Sequence, residues 1–251
     1  MLRKTTFVLL LLIVNGLSIN ATNGSVLGNI HTGPKMQLNH SLWDSLLQKH
    51  VDKSGNVNYK SFKKDQAILV QYLGYLRNNK PTEGANRQEQ LAYYINLYNA
   101  VTVSLILDNY PLKSIKDIKN PWGLKIVAIG HQEISLGDLE HKILRKMNDP
   151  RIHFAINCAS YSCPKLLNQA FTSSNLEALL EQTAVDFIND KQRNTLDNNE
   201  ASLSAVFKWF KKDFTKEGSL VEYINKYARI KLDSNTRIKY STYNWALNEA
   251  K

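Results

Sequence analysis

Cysteine is nearly absent. The 251-residue chain carries two, Cys158 and Cys163, too few for a disulfide scaffold, so the fold has to rest on a hydrophobic core. Long apolar runs are missing too. Phe7 to Val14 (FVLLLLIV) falls well short of the ~20 residues of a transmembrane helix, and no other stretch approaches that length, which excludes a membrane span after leader removal. No cysteine lies near the end of that run, which excludes a lipid-anchored export signal. Repeats, linkers and low-complexity tracts are absent after Gln37. Basic patches are scarce as well: the net charge is +10, but the lysines are spread along the chain. Their densest group, Lys208 to Lys216, alternates with Trp209, Phe210 and Phe214 as an amphipathic helix does. No nucleic-acid partner is expected, and the charge would steer anionic ligands.

What is present begins with a leader. Arg3 and Lys4 precede the apolar run, which breaks at Asn15-Gly16 and is followed by small residues at Ser18 and Ala21. This is the order of a secretory signal peptide, cleaved after Ser18 or Ala21. The expected organisation is a signal over 1–21, a flexible Asn/Gly/Thr-rich lead-in over 22–37 and one globular domain over 38–251. Export to the periplasm or the exterior follows, in a compartment that permits disulfides. Loss of the two leader cations takes the charge from +10 to +8.

Periodicity predicts a helix from Asn39 or Ser41 that buries Leu42, Trp43, Leu46 and Leu47. The segment VDKSGNVNY has Gly55 fourth from Asp52 where an EF-hand needs it sixth, and reads as a turn into a short strand. A second helix runs from Ser61 to Arg77. A third, Arg87 to Asn109, is apolar on all sides in its later turns and marks a central buried helix. Asn96 and Asn99 share one of its faces, and leaving either amide unpaired inside would cost roughly 1–3 kcal/mol. Beyond Pro111, KIVAIG and QEI form a hairpin around Gly130-His131. Ser135 caps a helix to Met147 that bears Glu140, His141 and Arg145. Ile152 to Asn157 reads as a buried strand, and Ser174 to Glu177 as a capping box opening a helix to Asn189. Shorter helices follow over Ser204–Asp213 and Ser219–Tyr227, then strand-like residues from Tyr240 to Trp245. The fold class is α+β: one helix-rich domain with a central buried helix and a small, mostly antiparallel sheet.

Chemistry concentrates in RIHFAINCASYSCPKL. Pro164 suits the first position of a helical turn, which would put Cys163 at a helix N-terminus, where the dipole favours thiolate. Several readings remain open for the pair. They are a catalytic nucleophile, a structural disulfide adding roughly 2 kcal/mol, two inert thiols, a redox pair, or a zinc site with His141 and His153. The last spacing fits no standard finger, and neither metal nor cofactor is expected. His141 is the candidate general base; Glu140, beside it on the helix, points elsewhere. His153 has the setting of a core histidine.

The strings LAYYINLYNA, SLGDLEHKILR, DPRIHFAINCASYSCPKL and YNWALN together resemble the domain-of-unknown-function family 547, in order and spacing, from Trp43 to Leu247. The resemblance implies that Asn96, Asn99, Glu140, His141, Arg151, His153, Cys158 and Cys163 meet at one site; it implies no substrate. Two functions are compatible with it. One is a cysteine-dependent hydrolase or transferase of the cell envelope, with Cys163 or Cys158 attacking, His141 taking the proton and Asn96 or Asn99 orienting the imidazole or polarising a carbonyl. The other is a non-catalytic envelope domain that binds a small molecule or peptide, with a structural Cys158–Cys163 disulfide and a buried Asn/His network. The sequence leaves the oligomeric state open.

Overall fold

Leu91 to Leu107 carry apolar or amide side chains on every side, and a helix with no polar face has to be enclosed by others. That is its position in the computed structural model, which describes residues 37–250. The leader and residues 22–36 of the lead-in lie outside the described residues. Helix α1 (Ser41–His50) packs on α2 (Tyr59–Phe62) and α3 (Gln66–Asn78), and these two pack on α4 (Arg87–Asn109). Trp43, Leu47, Leu69, Tyr72 and Leu76 are buried with Leu91 and Ile95 in the principal core. Asn86 caps α4 by accepting from the Glu89 amide, and the helix has the bounds that periodicity predicts.

The hairpin forms as expected from β1 (Lys125–Ile129) and β2 (Gln132–Ser135), antiparallel, with Gly130 at φ 57° in the turn. Ser135 and Asp138 make the expected capping box. The helix it opens is less regular than predicted: α5 (Leu136–Asp138) passes into a π-helical turn over Leu139–Ile143 and a 3-10 turn over Leu144–Met147. Such π turns widen the ladder by one residue and recur at functional sites.

Several local readings need correction; the helix expected over Ser204–Asp213 is two, Ala205–Trp209 and Lys211–Phe214, and of the residues Tyr240 to Trp245 only Tyr240 lies in a strand. The stretch Ile152–Asn157 is no strand: Ile152–Ala155 form a helical turn, α6. Asp149 accepts from the Arg151 amide and starts the turn at Pro150, and a run this short has no readable period. All four residues are buried because α6 lies between two clusters, Ile152 and Ala155 facing the first and Phe154 the second. No helix begins at Pro164, whose carbonyl is taken by Asn157 Nδ2 at 2.8 Å; the helix-dipole argument for Cys163 falls with it. Helix α7 (Leu176–Ile188) is not opened by Ser174. Thr172 and Asn175 exchange hydrogen bonds instead, and Glu177 is drawn to Arg151 at 2.8 Å. The single helix expected from Ser61 starts at Tyr59, capped by Asn58, and is interrupted by a 3-10 turn at Lys63–Asp65.

Strand β3 (Glu200–Leu203), α8 (Ala205–Trp209), α9 (Lys211–Phe214), α10 (Leu220–Tyr227) and β4 (Arg237–Tyr240) complete the domain. β3 and β4 pair in parallel, so the sheet component is two separate pairs, one of each sense. Ser219 and Glu222 form the expected capping box on α10. A second cluster gathers Phe154, Phe187, Phe207, Phe214 and Ile224. The C-terminal segment then crosses back: Ser160 bridges Leu247, and Val57 bridges Glu249. It straps the cysteine loop from outside.

Candidate functional site

Asn99 donates to the Ala155 carbonyl at 3.0 Å and accepts from the Asn157 amide at 2.8 Å. Asn96 treats Phe171 the same way, donating to its carbonyl at 2.7 Å and accepting from its amide at 3.1 Å. Both asparagines are thus spent on backbone and stand behind the site, fixing the start of the cysteine loop and the segment before α7. Asn157 closes the base of the loop, accepting from the Ala159 amide and donating to Pro164. Ala159 is held at φ 58°, a conformation that costs a β-carbon-bearing residue roughly 1–2 kcal/mol. The C-terminal strap binds the loop's outer edge, the Tyr161 amide donating to Ala246 and the Asn248 amide to Ala159.

Within that frame the sulfurs of Cys158 and Cys163 stand at disulfide distance, with Cα atoms 6.3 Å apart. Two donors point at Cys163 Sγ: the Cys158 amide at 3.0 Å and the Tyr243 hydroxyl at 3.1 Å. The same hydroxyl lies 3.3 Å from Cys158 Sγ. Burial pushes the Tyr243 phenol far up, so it stays protonated and remains a donor.

The pair lies in a cleft of about 230 Å³ between the two hydrophobic clusters. Trp122, Trp209, Phe210 and Trp245 wall it. Trp209 and Trp245 stack at 5.7 Å between centroids, and Tyr243 tilts against Trp245 at 4.5 Å. Trp209 is 48% exposed and opens toward solvent. Glu140, His141 and His153 complete the wall. Glu140, His141, His153 and both cysteines thus line one cleft, whereas Asn96, Asn99 and Arg151 do not line it. Arg151 instead binds Asp149 and Glu177.

Glu140 is buried, and its carboxylate accepts from the Tyr98 hydroxyl at 3.4 Å. Desolvation lifts its carboxyl to about 7, against the pull of Arg145. His141 is exposed; burial on one side and then the Arg145 charge hold its imidazole below the usual value. Arg145 is an obligate donor, and its Nη1 lies 3.1 Å from His141 Nδ1. The basic nitrogen of a neutral His141 therefore faces Arg145, and Nε2 carries the proton. Arg145 also grips Asp213 through Nε at 2.6 Å and Nη2 at 3.0 Å, and His153 Nε2 meets the same carboxylate at 2.8 Å. Burial works to raise Asp213, but hydrogen bonds from His153 and Arg145 outweigh it and hold the carboxylate low. His153 is buried and stacks on Phe210 at 3.9 Å, and desolvation holds its imidazole below the usual value against the pull of Asp213. Among the described residues no group of three or more His, Cys, Asp and Glu side chains is placed to hold a metal ion, and no helix is long and apolar enough to cross a membrane.

Tyr98, Asn157, Trp209, Asp213 and Tyr243 escaped the sequence reading of the site. Tyr243 and Trp245 had a signal in the YNWALN string. Trp209 and Asp213 read only as parts of a lysine-rich amphipathic helix.

The fold is an α+β domain with an aromatic-walled cleft floored by a cysteine pair. Residues 82–188 match the family described as protein of unknown function, DUF547. The matched stretch holds every candidate residue read from the sequence, from Asn96 to Cys163, and is narrower than the resemblance from Trp43 to Leu247. No curated protein and no solved structure matches the chain.

Proposed function

We propose that the protein is an exported domain of the cell envelope that takes a small molecule or the side chain of a peptide into this cleft, the Cys158–Cys163 pair fastening its floor. Export rests on the leader-like order of Arg3, Lys4 and the apolar run. The observation that carries the binding reading is the cleft itself: apolar aromatic walls with a few convergent polar groups, Glu140, His141 and Tyr243, which is the usual composition of a ligand site. The test is a thermal-shift screen of envelope-derived small molecules and peptides on the wild type and on Trp209→Ala. Trp209 is half exposed, so its removal leaves the core intact. Ligands that stabilise the wild type should lose at least tenfold in affinity in the variant, about 1.4 kcal/mol. Equal stabilisation of both proteins would remove the cleft from the binding reading.

The thiol hydrolase or transferase has one observation in its favour: both sulfurs line the same cleft as Glu140, His141 and His153. Glu140 is better suited than His141 to take a proton there, because the basic nitrogen of His141 is turned to Arg145. Differential alkylation of protein recovered from its export compartment separates the two readings. A pair locked against alkylation supports binding, and a rapidly alkylated cysteine supports the enzyme.

A further inference from the structure

A disulfide that serves only to pin a loop has no use for hydrogen-bond donors aimed at its sulfurs, since a bonded sulfur is a weak acceptor. A thiolate is a strong one, and donors pointed at it lower the cost of forming it. Cys163 Sγ has two such donors, one from rigid backbone (Cys158 N–H, 3.0 Å) and one from a phenol (Tyr243 Oη, 3.1 Å). Both are present while the sulfurs are at bonding distance. Exposure differs between the two cysteines: Cys163 is buried at 6%, and Cys158 is partly open to the cleft. The loop that carries them contains Ala159 in a left-handed conformation, held by Asn157 and the C-terminal strap.

We propose that Cys158–Cys163 is an exchanging disulfide whose substrate is a thiol admitted by the cleft, either a low-molecular-weight thiol or a cysteine-bearing peptide, with Cys158 the sulfur attacked and Cys163 the leaving thiolate. The inference rests on the cleft being the working site, which Trp209→Ala tests separately. In the first step a substrate thiol gives its proton to solvent at the cleft mouth, and the thiolate attacks Cys158 Sγ. A bond forms between the substrate sulfur and Cys158, the Cys158–Cys163 bond breaks, and its electron pair stays on Cys163, where the Cys158 amide and the Tyr243 hydroxyl receive it. In the second step another substrate thiolate attacks the substrate sulfur of the mixed disulfide and releases Cys158, which takes a proton from solvent, as Cys163 does. Two substrate thiols become one disulfide, and the two electrons they lose reduce the cysteine pair. The titratable groups around the pair are Tyr98, Glu140, His141 and His153 on the cleft wall and Tyr243 above it, with the Arg193 charge acting on Tyr243.

The first measurement needs no variant. Full-length protein is equilibrated with reduced and oxidised glutathione at varied ratios, and the reduced fraction is read by alkylation and mass spectrometry. An exchanging pair is reduced within the range of the buffer; a pair that stays oxidised under excess reduced glutathione overturns the proposal. The second uses Cys158→Ser, in which residue 158 keeps its backbone amide. Cys163 should there alkylate with an apparent pKa well below the roughly 8.5 of a free thiol. Adding Tyr243→Phe should raise that value by about one unit, a tenfold loss of thiolate below it. In the otherwise native chain the same Tyr243→Phe change should shift the glutathione equilibrium about tenfold toward the disulfide. Circular dichroism checks that each variant is folded. A Cys163 pKa at or above that of a free thiol, or one unmoved by Tyr243→Phe, sinks the inference. If ligands still depend on Trp209 while the pair does not exchange, the exchange fails and the binding reading stands. If ligands bind without regard to Trp209, it is the cleft that fails.

Discussion

Glu140 shows what a single burial does to chemistry. With a weak hydrogen bond from Tyr98 and an aromatic surround, its carboxyl moves from 4.5 to about 7, because desolvation penalises the charged form. The folded-state pKa lies above the unfolded one, so the stability this arrangement allows is complete below about pH 4.5 and is lost as pH rises through 7. Glu140→Gln removes the titration and keeps the shape. Its unfolding free energy by urea denaturation should match the wild type near pH 4.5 and exceed it by about 3 kcal/mol at pH 8. A constant difference across that range would show that Glu140 is solvated in the folded protein.

At the scale of elements, two loops place the cysteine pair, and they treat the left-handed conformation in opposite ways. Gly55 has φ 82° in the turn after α1, and a Cβ there would stand 2.7 Å from Lys165 Cβ and 2.8 Å from Lys165 Cα. The turn and the segment after Cys163 are packed backbone to backbone, which only glycine allows. Ala159 adopts φ 58° without being glycine. The two substitutions should therefore have opposite signs: Gly55→Ala is expected to lower stability by 2 kcal/mol or more, on the order of a strained and clashing core position. Ala159→Gly should be neutral to stabilising by about 1 kcal/mol. Thermal melts of both variants against the wild type settle the signs. The π turn over Leu139–Ile143 belongs to the same scale: Glu140 from this turn lines the cleft, while Arg145, one turn on, is held by Asp213 of α9.

Across the whole molecule the cleft is a product of the two clusters meeting. Tyr98, Trp122 and Ile156 come from the principal core or its margin, and Val206 and Phe210 from the second cluster. The match over residues 82–188 includes the cysteines but not Trp209, Tyr243 or Trp245. It also omits α2 and α3, against which α4 packs, α1, which packs on them, and Phe207 and Phe214, which enclose Phe154. A fragment spanning 82–188 should therefore fail to fold cooperatively, whereas residues 37–251 should unfold in a single transition. Far-UV circular dichroism melts of the two pieces make the comparison.

Local pattern alone determined the bounds of α4, the hairpin around Gly130, the capping boxes at Ser135 and Ser219 and the need of Asn96 and Asn99 for interior partners, because each depends on residues within a few positions of one another. It also marked His141 and the cysteines, whereas Glu140 and His153 entered the site through the family resemblance. Tertiary structure decided the rest. Ile152–Ala155 became a helical turn because two clusters had to be filled from one short segment, an outcome no six-residue pattern contains. Cys163 received its donors from the Cys158 amide and from Tyr243, eighty positions away, rather than from a helix beginning at Pro164. The basic nitrogen of a neutral His141 is turned to Arg145, one turn along, since hydrogen-bond direction, not proximity in sequence, assigns a proton.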